Sequence, residues 1–402
     1  MSGKRWLVLL FVFLGIVVSY IDRGNLSVAN ESMAHELHFA PATMGLLLSA
    51  FFWTYAAFQI PAGSIVDRFG VRGAYAAAFV LWSLASASIA LARGSGDIFA
   101  SRLVLGLAET VGPVASLAAI RASFAEKENG LPTSIYIAGQ QFGPSLSLLV
   151  GSTLLVHFGW RAMFALTGLT ALIWVPAWLK VAPVVEKKVS DGPRFDWETL
   201  LTSPTLWAMA VFILLSSYYW YFVLTWVPAY LTASRGFSTL GMGHILSAAM
   251  ACMAVVSIGG GFVADALVKK AQSLFSVRLW LAAGGSVGAS SLILLNFVPG
   301  NAVGMAVMFV SMCSFGIVSS NFWTLAQNVA PRTKVARVIG FLNTASQVAG
   351  IAAPWITGYI IGPEKHFAPA VAIAALCPLV SLAPLFIASS GMEKLRTALG
   401  QA

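Results

Sequence analysis

Charge is scarce in this chain of 402 residues: only 10% are Asp, Glu, Lys or Arg, whereas a soluble domain usually carries about 25%. Hydrophobic residues make up 58% of the chain. So few charges cannot solvate the surface of a soluble globule of this length, and that class of protein is excluded. The hydrophobic residues, about 233 of them, suffice for twelve membrane helices of roughly 20 residues each.

Cysteine is also rare, and its placement excludes the sites that depend on it. Cys252, Cys313 and Cys377 lie inside apolar runs, without the spacing of a disulfide framework or a zinc site. We therefore expect no disulfide, no metal and no cofactor. The net charge of +9 does not indicate a nucleic-acid partner, because the basic residues are scattered through short connectors. They act as topology signals in a lipid bilayer.

Apolar runs separated by polar breaks predict an all-α integral membrane protein with twelve transmembrane helices. The polar connector 181–204 is a predicted cytoplasmic linker. It divides the chain into an N-terminal six-helix bundle, residues 1–180, and a C-terminal six-helix bundle with a short cytoplasmic tail, residues 205–402. The predicted spans are 6–29, 43–65, 72–92, 97–121, 133–156, 161–180, 205–231, 242–266, 276–296, 301–328, 335–361 and 367–388.

The basic residues predict the orientation of these spans. Eighteen of the 24 Lys and Arg residues lie at the termini and in one set of alternate connectors, four lie in the other set, and two lie inside spans. An even number of spans places both termini on one side, and the excess of positive charge marks it as cytoplasmic. The start of the chain also resembles a signal peptide with a cleavage site at Ser27-Val28-Ala29, but twelve spans require that the first helix is retained.

The two halves of the chain contain similar motifs at corresponding positions. After the second span comes Gly63-Ser-Ile-Val-Asp67-Arg68-Phe-Gly70-Val-Arg72, and after the eighth comes Gly261-Phe-Val-Ala-Asp265, about half a chain length later. This loop with its degraded copy resembles the signature loop of the major facilitator superfamily. The resemblance covers essentially the whole chain and implies two six-helix bundles that rock about a central site. It assigns to a cytoplasmic gate Gly63, Asp67, Arg68, Gly70 and Arg72.

Four ionisable residues lie well inside predicted spans: Asp22 and Arg23 in the first, and Arg102 and Glu109 in the fourth. Facing lipid, each would cost roughly 2.5 to 3.5 kcal/mol, so they must face a cavity or one another. Arg102 and Glu109 are two helical turns apart and share a face of their span. An ion-pair cluster that only ties helices together is the alternative, but buried pairs contribute little stability, which favours a functional role.

The motif Tyr20-Ile-Asp22-Arg23-Gly-Asn25 is similar to that of the anion:cation symporter branch of the superfamily, which includes bacterial galactonate and hexuronate carriers. Gly159-Trp160-Arg161 before the sixth span agrees with this branch. The resemblance implies that Arg23 binds the substrate carboxylate, that Asp22 and Glu109 carry protons, and that Arg102 is their charge partner. It places the substrate-binding set at Arg23, Tyr20, Tyr55, Arg102, Gln140, Trp323 and Asn343.

Together with these residues, the resemblance implies proton-coupled symport of a small organic anion by alternating access, with the coupling ion an expectation that comes from the resemblance. A guanidinium meets a carboxylate through two parallel hydrogen bonds, and a carboxylate that loses its cation to the substrate takes up a proton more readily. Hydroxyl-binding amides favour a sugar acid such as a hexonate or hexuronate, while Trp323 and the tyrosines also suit an aromatic acid. We expect a monomer in the cell inner membrane, as is usual for carriers of this superfamily.

Three other interpretations stay open. A drug/proton antiporter of the same fold typically carries Gly-x-x-x-Gly-Pro-x-x-Gly-Gly in its fifth span; this chain has Gly139-Gln-Gln-Phe-Gly143-Pro144, but serine and leucine at the closing positions. A membrane enzyme has thin support, since Gly284-Gly-Ser286-Val-Gly288 lacks the strand–turn–helix context of a nucleophile. A receptor built on a transporter scaffold would bind its ligand without flux.

Overall fold

The computed structural model describes residues 2–124, 130–183, 202–271, 274–329 and 335–398, and these contain helices and no strand. Most of the predicted linker, residues 184–201, therefore lies outside the described residues. Short 3₁₀ segments, Ile89–Leu91 and Ser291–Asn296, extend two of the helices. The helices are α1 (Ser2–Val28), α2 (Asn30–Glu36), α3 (Pro41–Ala57), α4 (Gln59–Phe69), α5 (Val71–Ser88), α6 (Ser95–Glu109), α7 (Val111–Ser123), α8 (Gly130–Ala171), α9 (Trp174–Val181), α10 (Pro204–Thr225), α11 (Val227–Ala233), α12 (Thr239–Ala271), α13 (Leu274–Ser290), α14 (Asn301–Val329), α15 (Val335–Ile361), α16 (Phe367–Val380) and α17 (Leu382–Ala398).

Among the described residues, nine helical stretches are long and apolar enough to cross a membrane, and the pair Pro41–Ala57 and Pro61–Phe69, bent by 63°, makes a tenth. One of the nine, Ile135–Val181, has 47 residues, about 70 Å of helix, which is more than twice the thickness of a bilayer core. Gly159 interrupts it with a φ of 77° that other residues rarely adopt. The stretch thus has room for the predicted fifth and sixth spans.

The predicted eleventh span corresponds to α15, which has 27 residues, about 40 Å of helix. This helix is not one of the nine stretches, although it is long enough to cross a bilayer core of about 30 Å. The nine stretches, the bent pair, a second span within Ile135–Val181 and α15 together make twelve, the predicted number of spans.

The first compact unit comprises Met1–Gly192, Leu224–Ala248 and Pro354–Lys365. In this unit α1 packs along α8, α3 along α6, and α5 against both α6 and α8. Segments from the second half of the sequence belong to it: Ser27 Oγ donates to the carbonyl of Thr225 at 2.8 Å, and the Trp226 indole donates to the carbonyl of Pro354 at 2.9 Å. The contacts of this unit therefore extend beyond residues 1–180, and the division into two bundles stays a prediction.

The second unit comprises Pro193–Val223, Ala249–Ala353 and His366–Ala402, with α13 packed along α14. Its Arg278 is buried, forms an ion pair with Asp265, and lies 3.4 Å from Asn321 Oδ1. Arg278 is one of the eighteen basic residues assigned above, from the sequence, to the termini and connectors. Because α13 begins at Leu274, Arg278 is already one turn inside the helix and reaches back to α12.

Candidate functional site

An ion pair between α1 and α6, which we call the central pair, lies at the middle of the predicted site. Arg23 Nε donates to Glu109 Oε2 at 2.6 Å, and the two side chains are 12% and 0% exposed. The two Nη nitrogens of Arg23 form no hydrogen bond with the described residues, and neither does Glu109 Oε1. The guanidinium therefore keeps donors available while one of its nitrogens holds the carboxylate.

Three aromatic rings surround the Arg23 guanidinium, whose Cζ lies 5.1 Å from the ring centroid of Tyr20, 4.8 Å from Phe51 and 4.6 Å from Tyr55. Phe51 and Tyr55 are one turn apart on α3 and stack at 5.1 Å. Tyr20 packs against Gly143 of α8, where an added Cβ would lie only 2.7 Å from the Tyr20 Cβ. Only glycine lets α8 approach Tyr20 so closely.

Asp22, the neighbour of Arg23, has a different environment from Glu109. Its carboxylate is buried, and Oδ1 accepts a hydrogen bond from Ser86 Oγ at 2.6 Å. Oδ2 has no hydrogen-bond partner, and no Lys or Arg nitrogen of the described residues lies within 4.0 Å of the carboxylate. Asp22 is therefore a buried carboxyl group without a direct counter-charge.

Arg102, which the family resemblance implied as the charge partner of Asp22 and Glu109, forms no ion pair within 4.0 Å with the described residues, and its role stays a prediction. Its Nη1 donates to the backbone carbonyl of Asp22 at 3.5 Å, its Nε has no partner, and its Cζ lies 5.2 Å from the Phe51 ring centroid. Within the described residues the partner of Glu109 is Arg23 instead. Arg102 reaches the backbone of α1 and the ring of Phe51, while Glu109, at the end of α6, meets the Arg23 side chain.

The other predicted ligand residues divide between the two units. In the first unit, Gln140 Nε2 donates to the hydroxyl of the buried Tyr136 at 3.4 Å. In the second unit, Trp323 packs edge-on against Phe322 at 5.6 Å, and Asn343 Oδ1 accepts from Gln347 Nε2 at 3.5 Å. The structure thus brings Tyr20, Asp22, Arg23, Tyr55, Arg102 and Glu109 together, and places Trp323 and Asn343 in the other unit.

The predicted gate residues lie where α4 turns into α5. Gly70 ends α4 with a φ of 77°, which explains a glycine at this position of the motif. The Arg72 carbonyl accepts from the Trp178 indole at 3.2 Å, while Asp67 and Arg68 are exposed and form no ion pair with the described residues. Gly63 faces open space. The gating role of this motif stays a prediction.

Two features bear on metal binding and on enzyme chemistry: the grouping of possible metal ligands and the position of Ser286. No group of three His, Cys, Asp or Glu side chains in the described part of the chain could hold a metal ion. Ser286, the candidate nucleophile of the enzyme interpretation, lies inside α13, away from any strand-to-helix turn among the described residues.

Comparison with known proteins identifies the family and several relatives. Residues 12–354 match the profile of the Major Facilitator Superfamily. A probable galactarate/D-glucarate transporter of Escherichia coli is 27% identical over 94% of this chain and 93% of its own length. A hexuronate transporter of Bacillus subtilis is 28% identical over 95% and 94%. A D-galactonate transporter of Escherichia coli is 27% identical over 94% of each chain.

Among solved structures, a bacterial homolog of the human lysosomal transporter Spinster, in an inward-facing and occupied conformation, has the same fold. Its TM-score is 0.80 at 17% identity, with 98% of this chain and 97% of that chain covered. The family and these relatives are transporters and not enzymes, so the membrane-enzyme interpretation is not supported.

Proposed function

The chain belongs to the Major Facilitator Superfamily and is a multi-pass membrane transporter, and we propose that it carries a sugar acid of the hexonate or hexuronate type by symport with protons. The observation that carries this proposal is the central pair, in which the largely buried Arg23 keeps donors available while a buried carboxylate occupies one of its nitrogens. The substrate carboxylate and the Glu109 carboxylate then compete for the same guanidinium, and a proton on Glu109 leaves it to the substrate.

The anion binds at Arg23. A carboxylate that enters a low-dielectric cavity needs a fixed counter-charge, and the planar guanidinium supplies two parallel N–H donors. The free Nη nitrogens and the surrounding rings of Tyr20 and Tyr55 fit this role. Tyrosine hydroxyls and the Gln140 amide supply donors and acceptors for the hydroxyl groups of the substrate.

Glu109 carries the proton that accompanies the anion. When the substrate carboxylate binds Arg23, Glu109 loses its cation, and a buried carboxylate without counter-charge is costly. Proton uptake by Glu109 removes that cost, so anion and proton bind together. Alternating access then follows when two bundles rock about the loaded site, with the Gly63–Arg72 loop as the cytoplasmic gate.

Asp22 is the second proton carrier. One monoanion with one proton crosses without net charge and responds only to the pH gradient, about 1.4 kcal/mol per unit. A second proton on Asp22 would add about 2.3 kcal/mol per 100 mV of membrane potential. The lack of a direct counter-charge near Asp22 supports this second site.

The substrate class rests on relatives and on charge. The relatives named above are transporters of galactarate/D-glucarate, hexuronate and D-galactonate, all sugar acids. A drug/proton antiporter would bring a lipophilic cation to a site with two buried guanidinium groups, which repel it. We further expect a monomer in the cell inner membrane with both termini cytoplasmic, and Trp323 and Asn343 as ligand contacts from the second half.

Uptake into proteoliposomes with a trapped pH dye tests the proposal. D-galactonate, D-glucuronate, 4-hydroxybenzoate and tetraphenylphosphonium are offered in turn to wild type, Glu109→Gln, a control variant Glu36→Gln and protein-free liposomes. The control alters an exposed glutamate that pairs with Arg161, outside the proposed site. We expect internal acidification with the sugar acids in wild type and Glu36→Gln, and its loss in Glu109→Gln. Uptake without acidification, or proton release driven by the cation, would contradict the proposal.

A further inference from the structure

One aromatic ring, that of Phe51 in α3, lies beside two guanidinium groups of the first unit, those of Arg23 and the buried Arg102. Its centroid is 4.8 Å from Cζ of Arg23 and 5.2 Å from Cζ of Arg102. The side chain is fully buried, and its ring stacks on that of Tyr55. Phe51 is thus the common neighbour of both arginines.

Close packing of α3 on α6 fixes the position of this ring. A Cβ added to Gly106 would lie 2.1 Å from the Phe51 carbonyl oxygen, so the two backbones touch. One turn away, Thr54 Oγ1 donates to the carbonyl of Leu103 at 2.7 Å. Arg102 is one turn before Gly106 on α6. The backbone that carries the Phe51 ring is therefore held against α6 within about one turn of Arg102.

Glu109 and Asp22 attract the charge of Arg102 only from beyond ion-pair distance, so its direct contacts are few. It forms no ion pair with the described residues, and its only hydrogen bond there is the 3.5 Å contact to the Asp22 carbonyl. A cation over an aromatic face is attracted by the negative charge of the ring face, and more strongly when water is excluded. Phe51 supplies such a face at a buried position.

We propose that Phe51 is a positioning residue of the transport site: its ring keeps Arg102 against α1 and holds the Arg23 guanidinium in place when Glu109 releases it. This role rests on the proposed function, because release of Glu109 is part of that mechanism. A ring that only filled space could be replaced by one of the same shape with a different charge distribution.

Fluorination of the ring separates these two roles. Replacement of Phe51 by mono-, di- and trifluorophenylalanine keeps its shape and progressively removes negative charge from its face. For D-galactonate uptake we expect KM to rise stepwise, to about tenfold with three fluorines, while kcat stays within about twofold. The same analogues at Phe164, which is buried in α8 with no guanidinium of the described residues over its ring, should leave KM unchanged.

A second measurement does not depend on the substrate. Phenylglyoxal modifies accessible arginines, and mass spectrometry reports the rate at the peptide that contains Arg102. We expect this rate to rise several-fold in Phe51→Leu and to stay at the wild-type value in Phe164→Leu. A flat KM series in an active carrier, or an unchanged rate at Arg102, would overturn the role of Phe51. Absence of D-galactonate uptake by wild type would instead count against the proposed function, and the modification rate would still decide the role of Phe51.

Discussion

Two ion pairs of the first unit differ in their exposure to solvent, and this difference indicates what each contributes to stability and to transport. The central pair, Arg23–Glu109, is 12% and 0% exposed and lies between α1 and α6. The pair Arg161–Glu36, which we call the rim pair, joins α8 to α2 and is 44% and 49% exposed. Solvent screens the rim pair, whereas the central pair retains its full attraction and also bears the cost of desolvation.

The two pairs also differ in how many of their polar atoms have a hydrogen-bond partner. In the rim pair, Glu36 also accepts from the Trp160 indole at 2.6 Å, and Arg161 lies over the Trp160 ring at 4.0 Å. In the central pair, Glu109 Oε1 has no hydrogen-bond partner among the described residues, and one oxygen of the nearby Asp22 carboxylate has none there either. The rim pair is a satisfied structural contact. The central pair leaves polar atoms open, which fits a site that receives a ligand.

We expect the largest effect on transport from a variant that changes the geometry of the central pair but keeps the positive charge at position 23. Arg23→Lys removes the planar fork, so one point charge must serve both Glu109 and the substrate. We expect kcat/KM for D-galactonate uptake to fall by at least about a hundredfold. The matched rim variant Arg161→Lys should stay within about twofold. Equal losses in both variants would contradict the distinction between the pairs.

The Arg278–Asp265 pair of the second unit is intermediate, since Arg278 is buried and Asp265 is exposed. Asp265→Asn removes the counter-charge and leaves the buried guanidinium with neutral amide oxygens only, that of Asn321 and that of the new side chain. We expect a loss of about 1 to 3 kcal/mol in unfolding free energy, measured by thermal unfolding in detergent. An Asp67→Asn variant, altered at an aspartate without an ion-pair partner among the described residues, should lose less than Asp265→Asn.

The smallest effect on stability is expected at the rim. Glu36→Gln keeps the size of the side chain and a carbonyl acceptor for Trp160 but removes the charge. For an exposed pair we expect a loss of at most about 1 kcal/mol at pH 7 and no change in uptake. A larger loss, or a loss of transport, would mean that the rim pair belongs to the transport machinery.

The rim pair also predicts a pH dependence. Hydrogen bonds from Trp160 and Arg161 lower the pKa of Glu36 from its ordinary value of 4.5. Because the folded state holds the charged form, the contribution of Glu36 is present above that value and is lost as the pH falls through the lowered pKa. The difference in melting temperature between wild type and Glu36→Gln should therefore be constant at neutral pH and disappear in acid. A difference that persists below the lowered pKa would contradict this assignment.

The sequence predicts the helical spans and the four intramembrane charges well, because both depend on local hydropathy. It does not predict which charges pair. Arg102 and Glu109 share a helical face and are visibly related by spacing, yet Glu109 meets Arg23, which is 86 positions away in the chain. Contacts across helices depend on how closely the backbones pack, as at Gly143 and Gly106.

Phe51 and Arg278 are two further residues whose contacts across helices the sequence does not predict. A phenylalanine in an apolar helix carries no signal that it will lie over two guanidinium groups. An arginine four residues into a helix looks like a connector charge until the partner aspartate on the preceding helix is known. Gly159 is a partial exception: its φ of 77° explains why a glycine precedes the Trp160-Arg161 pair that holds Glu36.

The most direct test of the central claim, that the anion displaces Glu109 from Arg23 and brings a proton with it, is proton-linked binding. D-galactonate is titrated into the purified wild type and Glu109→Gln by calorimetry at one pH, in buffers with different enthalpies of ionisation. The change of the observed binding enthalpy with the ionisation enthalpy of the buffer gives the number of protons taken up per anion bound. We expect the wild type to take up about one proton more than Glu109→Gln. Equal proton uptake in both, with binding intact, would contradict the claim.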